Sequence, residues 1–416
     1  MDFLFLEPTT LLIIAALVGF FMAFGIGAND VANSMGTSVG SKALTIKQAI
    51  FVAAIFEFLG AFLAGGEVTA TIRKGIVDPA LYTNDINIFI LGMLASLLAG
   101  GTWLYIASSR GWPVSTTHSI VGAIIGFVLI SKGVDAVSWG KVSNIVMSWV
   151  TSPLFSGIFA FVIYISAKKL ILNRKNPGEA AIQLIPFYAF YVAVVLSLVT
   201  VRKGLSHVGI DLSEGEIYFY TLFFGVLVSL ITAYLLRANR SKIMAANGIE
   251  YAFGLLMIVS ASAMAFAHGS NDVANAIGPL AAIVSVVSTG GIAAKSALPV
   301  WILLVGGIGI VFGLAILGHR VIRTVGKKIT ELTPSLGFSA EIATASTVVA
   351  ATYLGFPIST THTLVGGVIG VGLAKGVEHL NLSSIGKIII SWLVTIPAGA
   401  AFTVLFYVLL RVITNQ

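Results

Sequence analysis

Two short segments of the chain each place a carboxylate among side-chain amides. The first segment holds Asn29, Asp30 and Asn33, and the second holds Asn271, Asp272 and Asn275. In a helix the asparagines of one segment, four residues apart, share a face. Carboxylate and amide oxygens are ligands that hard cations such as Na⁺ prefer. We therefore expect a cation site at each segment, and the alternative is a set of hydrogen bonds between helices.

A second motif combines a proline, small hydroxyl residues and a histidine. Its two copies comprise Pro113, Ser115, Thr116, Thr117 and His118, and Pro357, Ser359, Thr360, Thr361 and His362. The apolar, glycine-containing run that follows each copy predicts a helix that starts inside the membrane. Free N–H groups, the helix dipole and hydroxyl donors at such a start suit an oxyanion. We expect these hydroxyls, together with Asn29 and Asn271, to contact an anion; the alternative is a pair of ordinary helix caps.

Five ionisable residues besides the two aspartates lie in or beside apolar runs. His118 and His362 are interpreted as neutral imidazoles packed behind the helix starts, with a proton carrier or anion ligand as the alternative. Glu57 and Glu341 are candidate site residues because an acid within a membrane segment needs a partner. His268 precedes the second amide segment, where the first half has Ile26.

The two motifs recur in the same order. MAFGIGANDVANSMG from Met22 reappears as MAFAHGSNDVANAIG from Met264, and GWPVSTTHSIVGAIIG from Gly111 reappears as GFPISTTHTLVGGVIG from Gly355. The polar residues match as well as the apolar ones, so the similarity is not merely that of two apolar helices. The flanking Gly25, Gly27 and Gly269 would allow a helix to break and free backbone carbonyls.

The elements that position these motifs are membrane helices. Hydrophobic residues make up 57% of the 416 positions and charged residues 10%. Apolar runs of about 20 residues, the length that crosses a bilayer, recur along the chain. They predict an all-α polytopic membrane protein with one transport domain over residues 1–416 and about twelve transmembrane helices. Repeat 1 would cover 9–166, a basic connection with two linking helices 167–249, and repeat 2 250–410; short runs at 341–353 and 279–294 would be half-helices or re-entrant segments.

Topology follows from the number of crossings and from the basic residues. Five crossings per repeat and two between them give the repeats opposite orientations in the membrane. On that count, sixteen of the 24 Lys and Arg residues lie on one side. This side would be cytoplasmic, with both termini outside. The basic residues lie in loops between apolar runs, which favours a lipid bilayer and not nucleic acid as the partner.

The motifs resemble those of the PiT family of inorganic phosphate transporters. The resemblance spans residues 9–166 and 250–410 and includes both Asn-Asp segments and both Pro-x-Ser-Thr-Thr-His stretches. It implies sodium- or proton-coupled phosphate uptake, inverted repeats, dimerisation and a role for Glu57 and Glu341. The long hydrophilic loop of eukaryotic members is missing, which suggests a compact prokaryotic member in the plasma membrane.

We therefore predict sodium-coupled phosphate symport by alternating access, with Na⁺ as the coupling ion and no organic cofactor. A proton-coupled phosphate or sulfate permease of the same fold is the nearest alternative. An anion channel would not need the buried acids. An enzyme is not expected, because no nucleophile with a base and an orienting group is evident.

Overall fold

The computed structural model describes residues 4–75, 78–204, 212–246, 248–291, 298–328 and 331–416. Helices dominate this part of the chain. The first seven are α1 (Pro8–Gly40), α2 (Ile46–Ala64), α3 (Gly66–Gly75), α4 (Ile86–Ser109), α5 (Thr116–Lys132), α6 (Trp139–Ala167) and α7 (Pro177–Val199).

Nine further α-helices complete the described chain. They are α8 (Glu214–Ala238), α9 (Arg240–Ile243), α10 (Gly248–Asp272), α11 (Ala274–Thr289), α12 (Val300–Ile316), α13 (Gly318–Lys328), α14 (Pro334–Tyr353), α15 (Thr360–Lys375) and α16 (Leu382–Thr414). Short 3₁₀ turns lie at Pro79–Tyr82, Val134–Ala136 and Val377–His379, and π-helical turns extend α6 and α7 at Lys168–Leu172 and Thr200–Gly204.

Eight helices of the described residues are long and apolar enough to cross a membrane, and the bent pair α12–α13 makes nine. The predicted all-α polytopic class is thereby confirmed, and the protein is a multi-pass membrane protein. The exact number of about twelve crossings, the repeat boundaries and their inverted orientation stay predictions.

The expected helix break at the glycines does not occur in the first half. Helix α1 runs without interruption from Pro8 to Gly40, through Gly25 and Gly27. In the second half, α10 ends at Asp272 and α11 begins at Ala274, so only Val273 separates them. The glycines that would have allowed a break therefore do not interrupt α1.

The glycines serve close helix packing instead. A Cβ atom on Gly27 would overlap the carbonyl oxygen of Ile310 in α12. A Cβ atom on Gly269 would overlap the carbonyl oxygen of Glu57 in α2. The pair α1–α12 therefore corresponds to the pair α10–α2, with Glu57 in the place of Ile310.

The short apolar run predicted at 341–353 belongs to a longer helix. Helix α14 has 20 residues because it begins at Pro334, and its first turn is held by Glu250, which accepts hydrogen bonds from the backbone and the hydroxyl of Ser335. The unassigned run at 279–294 lies largely in α11, which ends at Thr289. Helix α14 begins in a polar sequence, so apolar runs alone locate its start too late.

Candidate functional site

The two hydroxyl motifs form the first turns of α5 and α15. The hydroxyl oxygen of Ser115 accepts from the backbone N–H of His118 over 3.2 Å, and Ser359 accepts from His362 in the same way. Both serines are therefore N-caps, the alternative considered from the sequence. A helix leaves its first N–H groups without intrahelical acceptors, so further donors remain at each start.

The threonines of each start contact the opposite half of the chain. The amide nitrogen of Asn33 donates to the hydroxyl of Thr361 over 2.8 Å. Asn275 donates to the hydroxyl of Thr117 over 3.3 Å. The hydroxyls of Thr117 and Thr361 in turn donate to backbone carbonyls just before the opposite helix start, at Ile358 and Val114. The two halves thus interlock at their motifs.

Asn29 and Asn271 hold the segments that lead into these starts. Asn29 donates to the hydroxyl of Ser108 and the carbonyl of Trp112, and it accepts from the backbone N–H of Val114. Asn271 donates to the hydroxyl of Thr352 and the carbonyl of Phe356. The matching contacts place α4 and α14 in equivalent positions around the site.

Three carboxylates surround one imidazole beside the helix starts. His268 Nε2 lies 3.0 Å from Asp272 Oδ2 and 3.7 Å from Asp30 Oδ2, and its Nδ1 lies 3.3 Å from Glu57 Oε2. Within the described residues, these are the ion pairs of the three carboxylates. All four side chains are completely buried. Even a protonated imidazole would leave excess negative charge if all three acids were ionised.

The carboxylate cluster directly contacts the hydroxyl motifs. The hydroxyl of Thr360 donates to Asp272 Oδ2 over 2.7 Å, and Asn33 donates to Asp30 Oδ1 over 3.0 Å. Asn33 also reaches Thr360 and Thr361. The residues predicted for cation and anion binding therefore form one continuous network.

Several buried oxygens of this network have no hydrogen-bond partner. They are Asp30 Oδ2, Glu57 Oε2, Asn271 Oδ1 and Asn275 Oδ1. A buried oxygen without a donor is costly, and oxygens of this kind are ligands for hard cations. The described residues thus supply an oxygen set that fits Na⁺.

His268 is the residue of this cluster that was not selected from the sequence. Ile26 takes its position in the first half, and Ile310 corresponds to Glu57, so the contact of α10 with α2 holds an acid–imidazole pair where the equivalent contact of α1 with α12 holds two isoleucines. The two predicted cation sites are therefore not equivalent. Because His268 and Asp272 are four residues apart on one helix, their spacing was the available signal.

Glu341 lies in a separate hydroxyl-rich cluster. Its Oε1 accepts from Thr37 over 2.6 Å and from Ser38 over 2.5 Å, and its Oε2 accepts from Ser260 over 2.6 Å. The carboxylate is completely buried. Ser34, on the same helix as Thr37, donates to Glu57, so α1 contacts both predicted acids. Among the described residues, the hydrogen bonds of Glu341 involve Thr37, Ser38 and Ser260, and none of them involves the carboxylate cluster around His268.

His118 and His362 lie behind the helix starts. Their ring centroids are 4.4 Å apart; His362 stacks on Trp392 at 3.4 Å, and His118 packs against Trp149 at 3.7 Å in a tilted arrangement. His118 Nδ1 is 3.3 Å from the carbonyl oxygen of Trp392, and His362 Nδ1 is 3.2 Å from that of Trp149. Each imidazole therefore links its helix start to the opposite half, as expected of neutral, packed rings.

Comparison with known proteins identifies the family of the chain. Residues 26–403 match the phosphate transporter family. The chain belongs to this family. A Haemophilus influenzae protein, provisionally named a phosphate permease, is 51% identical over 97% of both chains. The Arabidopsis thaliana chloroplast protein called inorganic phosphate transporter 2-1 is 43% identical over 94% of this chain and 70% of its own.

A solved structure shows the same fold. The protein titled the sodium-dependent phosphate transporter matches with a TM-score of 0.88 and 42% identity, over 97% of this chain and all of that one. The family predicted from the motifs is thereby confirmed. Membership of the phosphate transporter family supports phosphate transport as the function, and the matched proteins carry names of transporters and permeases.

Proposed function

We propose that the chain is a sodium-coupled phosphate symporter that imports phosphate by alternating access. The observation that carries the proposal is the direct contact between the buried carboxylates and the two hydroxyl-bearing helix starts. Phosphate carries one to two negative charges near neutral pH. Its approach to ionised Asp30 and Asp272 would be strongly repulsive in a buried site unless cations lie between them.

Phosphate would bind between the starts of α5 and α15. Backbone N–H groups of the first turns and the hydroxyls of the threonines would donate to its oxygens. The residues in this proposed phosphate site are Ser115, Thr116, Thr117, Ser359, Thr360, Thr361, Asn29 and Asn271. Ser115 and Ser359 would act as caps that orient the turns.

Sodium would bind to carboxylate and amide oxygens of the two Asn-Asp segments, of which Asp30 Oδ2, Asn271 Oδ1 and Asn275 Oδ1 lack a hydrogen-bond partner. We propose Asp30, Asp272, Asn33 and Asn275 as ligands, together with Asn29 and Asn271. Binding of Na⁺ would neutralise the two aspartates and so create affinity for phosphate. A carrier with only some of its sites filled would retain uncompensated charge and resist closure. Coupling between the two solutes would then follow from electrostatics.

Proton coupling is the second candidate. The observation that favours it is His268, whose imidazole contacts three carboxylates and could carry a proton in place of a cation. The alternatives of sulfate transport and an anion channel have no comparable support, because the buried acids can accept a hydrogen bond from protonated phosphate and would repel a freely permeating anion.

Uptake by proteoliposomes tests the proposal. The purified protein is reconstituted, and uptake of radiolabelled phosphate is measured with an inward sodium gradient, with potassium in place of sodium, and with a pH gradient alone. Sodium-coupled symport predicts accumulation only with the sodium gradient. Accumulation driven equally well by the pH gradient in the absence of sodium would replace sodium by protons as the coupling ion.

We further propose a homodimer in the plasma membrane with both termini outside, as the family resemblance and the distribution of basic residues imply. Mass photometry in nanodiscs would test the dimer. A single population at the mass of one chain would contradict it.

A further inference from the structure

A large groove lies on the outer surface of the helix bundle and borders the proposed phosphate site, because the carbonyls of its lining residues Phe356 and Ile358 accept hydrogen bonds from Asn271 and Thr117. Its volume is about 920 Å³, and it is bordered by α6, by α14 and by Tyr191 of α7. Apolar side chains that line it are strongly exposed, among them Phe155 at 64% and Leu354 at 65%. The groove lies along α6, a candidate membrane span, and the residues that line it carry no charge.

An equivalent position exists in the first half of the chain. His362 bonds to the carbonyl of Trp149 in α6, and His118 bonds to that of Trp392 in α16, so α6 corresponds to α16. Three residues beyond these tryptophans, Ser152 corresponds to Thr395.

Helices α4 and α14 correspond in the same way. Asn29 and Asn271 bond to Ser108 of α4 and Thr352 of α14. Five residues before these hydroxyls, Trp103 of α4 corresponds to Thr347 of α14. One half therefore has a large indole where the other has a small hydroxyl.

The indole occupies the equivalent space in the first half. Trp103 Nε1 is 3.4 Å from the hydroxyl of Thr395, and its ring centroid is 6.5 Å from that of Phe402. In the second half, Thr347 turns its hydroxyl back to the carbonyl of Ala343 in its own helix. Thr347 therefore places no indole ring in the groove and offers no N–H group to Ser152.

Ser152 lacks the hydrogen bond that its counterpart Thr395 receives from an indole N–H group. Its side chain lines the groove and is 4% exposed, and its hydroxyl has no hydrogen-bond partner. A buried hydroxyl without a partner is costly. The counterpart Thr395 receives the indole N–H, so a ligand in the groove would supply to Ser152 what Trp103 supplies to Thr395.

We propose that this groove binds an uncharged aromatic molecule that dissolves in the membrane and carries one hydrogen-bonding group, such as an indole. The ring would fill the space that Trp103 fills in the other half, and its polar atom would bond to Ser152. A phosphate ion does not suit the groove, because the residues that line it carry no positive charge to compensate for its lost hydration. A lipid acyl chain has no group that could bond to Ser152.

Photolabelling with 5-azidoindole tests the site. The full chain in phosphatidylcholine nanodiscs is irradiated with the probe, with and without excess indole, and labelled peptides are mapped by mass spectrometry. We expect competable labelling of α6 and α14. Thr347→Trp should reduce it at least tenfold because the new ring fills the groove, whereas the control Thr347→Val, which keeps the groove open, should label like the wild type. Ser152→Ala should weaken competition by indole severalfold.

Three outcomes would overturn the proposal. The first is labelling of the exposed, aromatic helix α8 that is as strong as the labelling of α6 and α14. This result would show that the probe merely partitions into lipid and is an adventitious additive only. The second is labelling that folded Thr347→Trp does not reduce; Thr347→Phe replaces this variant if thermal unfolding shows that it does not fold. The third is the absence of new competable label on α16 in folded Trp103→Thr, because this change should open an equivalent groove in the first half.

Discussion

The side-chain amide of Asn33 lies 2.8 Å from the hydroxyl of Thr361, although 328 residues separate them in the chain. Asn275 makes the reciprocal contact with Thr117. Each amide segment therefore holds the helix start of the opposite half. Any movement of one half against the other would alter both starts at once, which is what a carrier with one shared substrate site requires.

Thr360→Val should weaken phosphate binding. The substitution removes a hydroxyl that contacts Asp272 and that we place in the phosphate site. A hydrogen bond to a charged group contributes about 1.5 to 3 kcal/mol, so the dissociation constant should rise roughly 10- to 100-fold. Isothermal titration at saturating sodium measures it. Thr363→Val is the matched control, because the hydroxyl of Thr363 bonds to the carbonyl of Ser359, the N-cap of its own helix, and is not part of the proposed site. Equal affinity in folded Thr360→Val and wild type would remove this hydroxyl from the site.

Asp30→Asn should weaken the dependence of phosphate affinity on sodium concentration. Its effect on phosphate affinity at saturating sodium should be smaller. Asp30 Oδ2 has no hydrogen-bond partner and is free to bind a cation. Thermodynamic linkage requires that phosphate tighten sodium binding by the factor by which sodium tightens phosphate binding. Phosphate titrations over a range of sodium concentrations at constant ionic strength give this factor.

Asp272→Asn should have a larger effect, because Asp272 also accepts from Thr360 and so orients a proposed phosphate ligand. Its phosphate affinity should stay low even at saturating sodium. Asp135→Asn, at an exposed position outside the site, is the control for loss of one acid. A sodium dependence unchanged in both Asp30→Asn and Asp272→Asn would argue against these aspartates as sodium ligands.

The sequence predicted the parts of the site but not how the halves meet. The duplicated segments identified Asn33 and Thr361, since polar residues in apolar runs need partners. Helical spacing shows which residues share a face of one helix, but it does not show which distant helix packs there. The crossed contact of Asn33 with Thr361 was therefore beyond sequence reasoning.

Asymmetry between the halves was the other obstacle. His268 has no polar counterpart, so a comparison of the repeats drew attention away from it. Gly27 would have allowed a helix to break, but it permits close contact with Ile310 in an unbroken α1. Glycine serves both purposes in membrane helices, and only the packing partner distinguishes them.

Single cysteines should report the orientation of this cysteine-free chain. Asp135 and Asn173 are both exposed, at opposite ends of α6. If both termini are outside, Asp135→Cys should react with a membrane-impermeant maleimide in right-side-out vesicles, whereas Asn173→Cys should react only after permeabilisation. The reverse pattern would invert the proposed topology, and ready labelling of both would contradict an α6 that spans the membrane.

His268→Ile should destabilise the protein more than the double substitution His268→Ile with Glu57→Ile. The single change leaves the buried Glu57 without its imidazole neighbour, and removal of one partner from a buried pair costs about 3 to 5 kcal/mol. The double change recreates, at the contact of α10 with α2, the pair Ile26 and Ile310 of the equivalent contact of α1 with α12, where both side chains are completely buried. Chemical unfolding in detergent of the wild type, both single variants and the double variant gives the coupling energy. We expect the double variant to lose clearly less stability than the sum of the single losses, and to bind phosphate with a weaker sodium dependence if Glu57 helps to hold the cation. Strictly additive losses would show that His268 and Glu57 do not depend on each other, and the close contact between them would then carry no energetic weight.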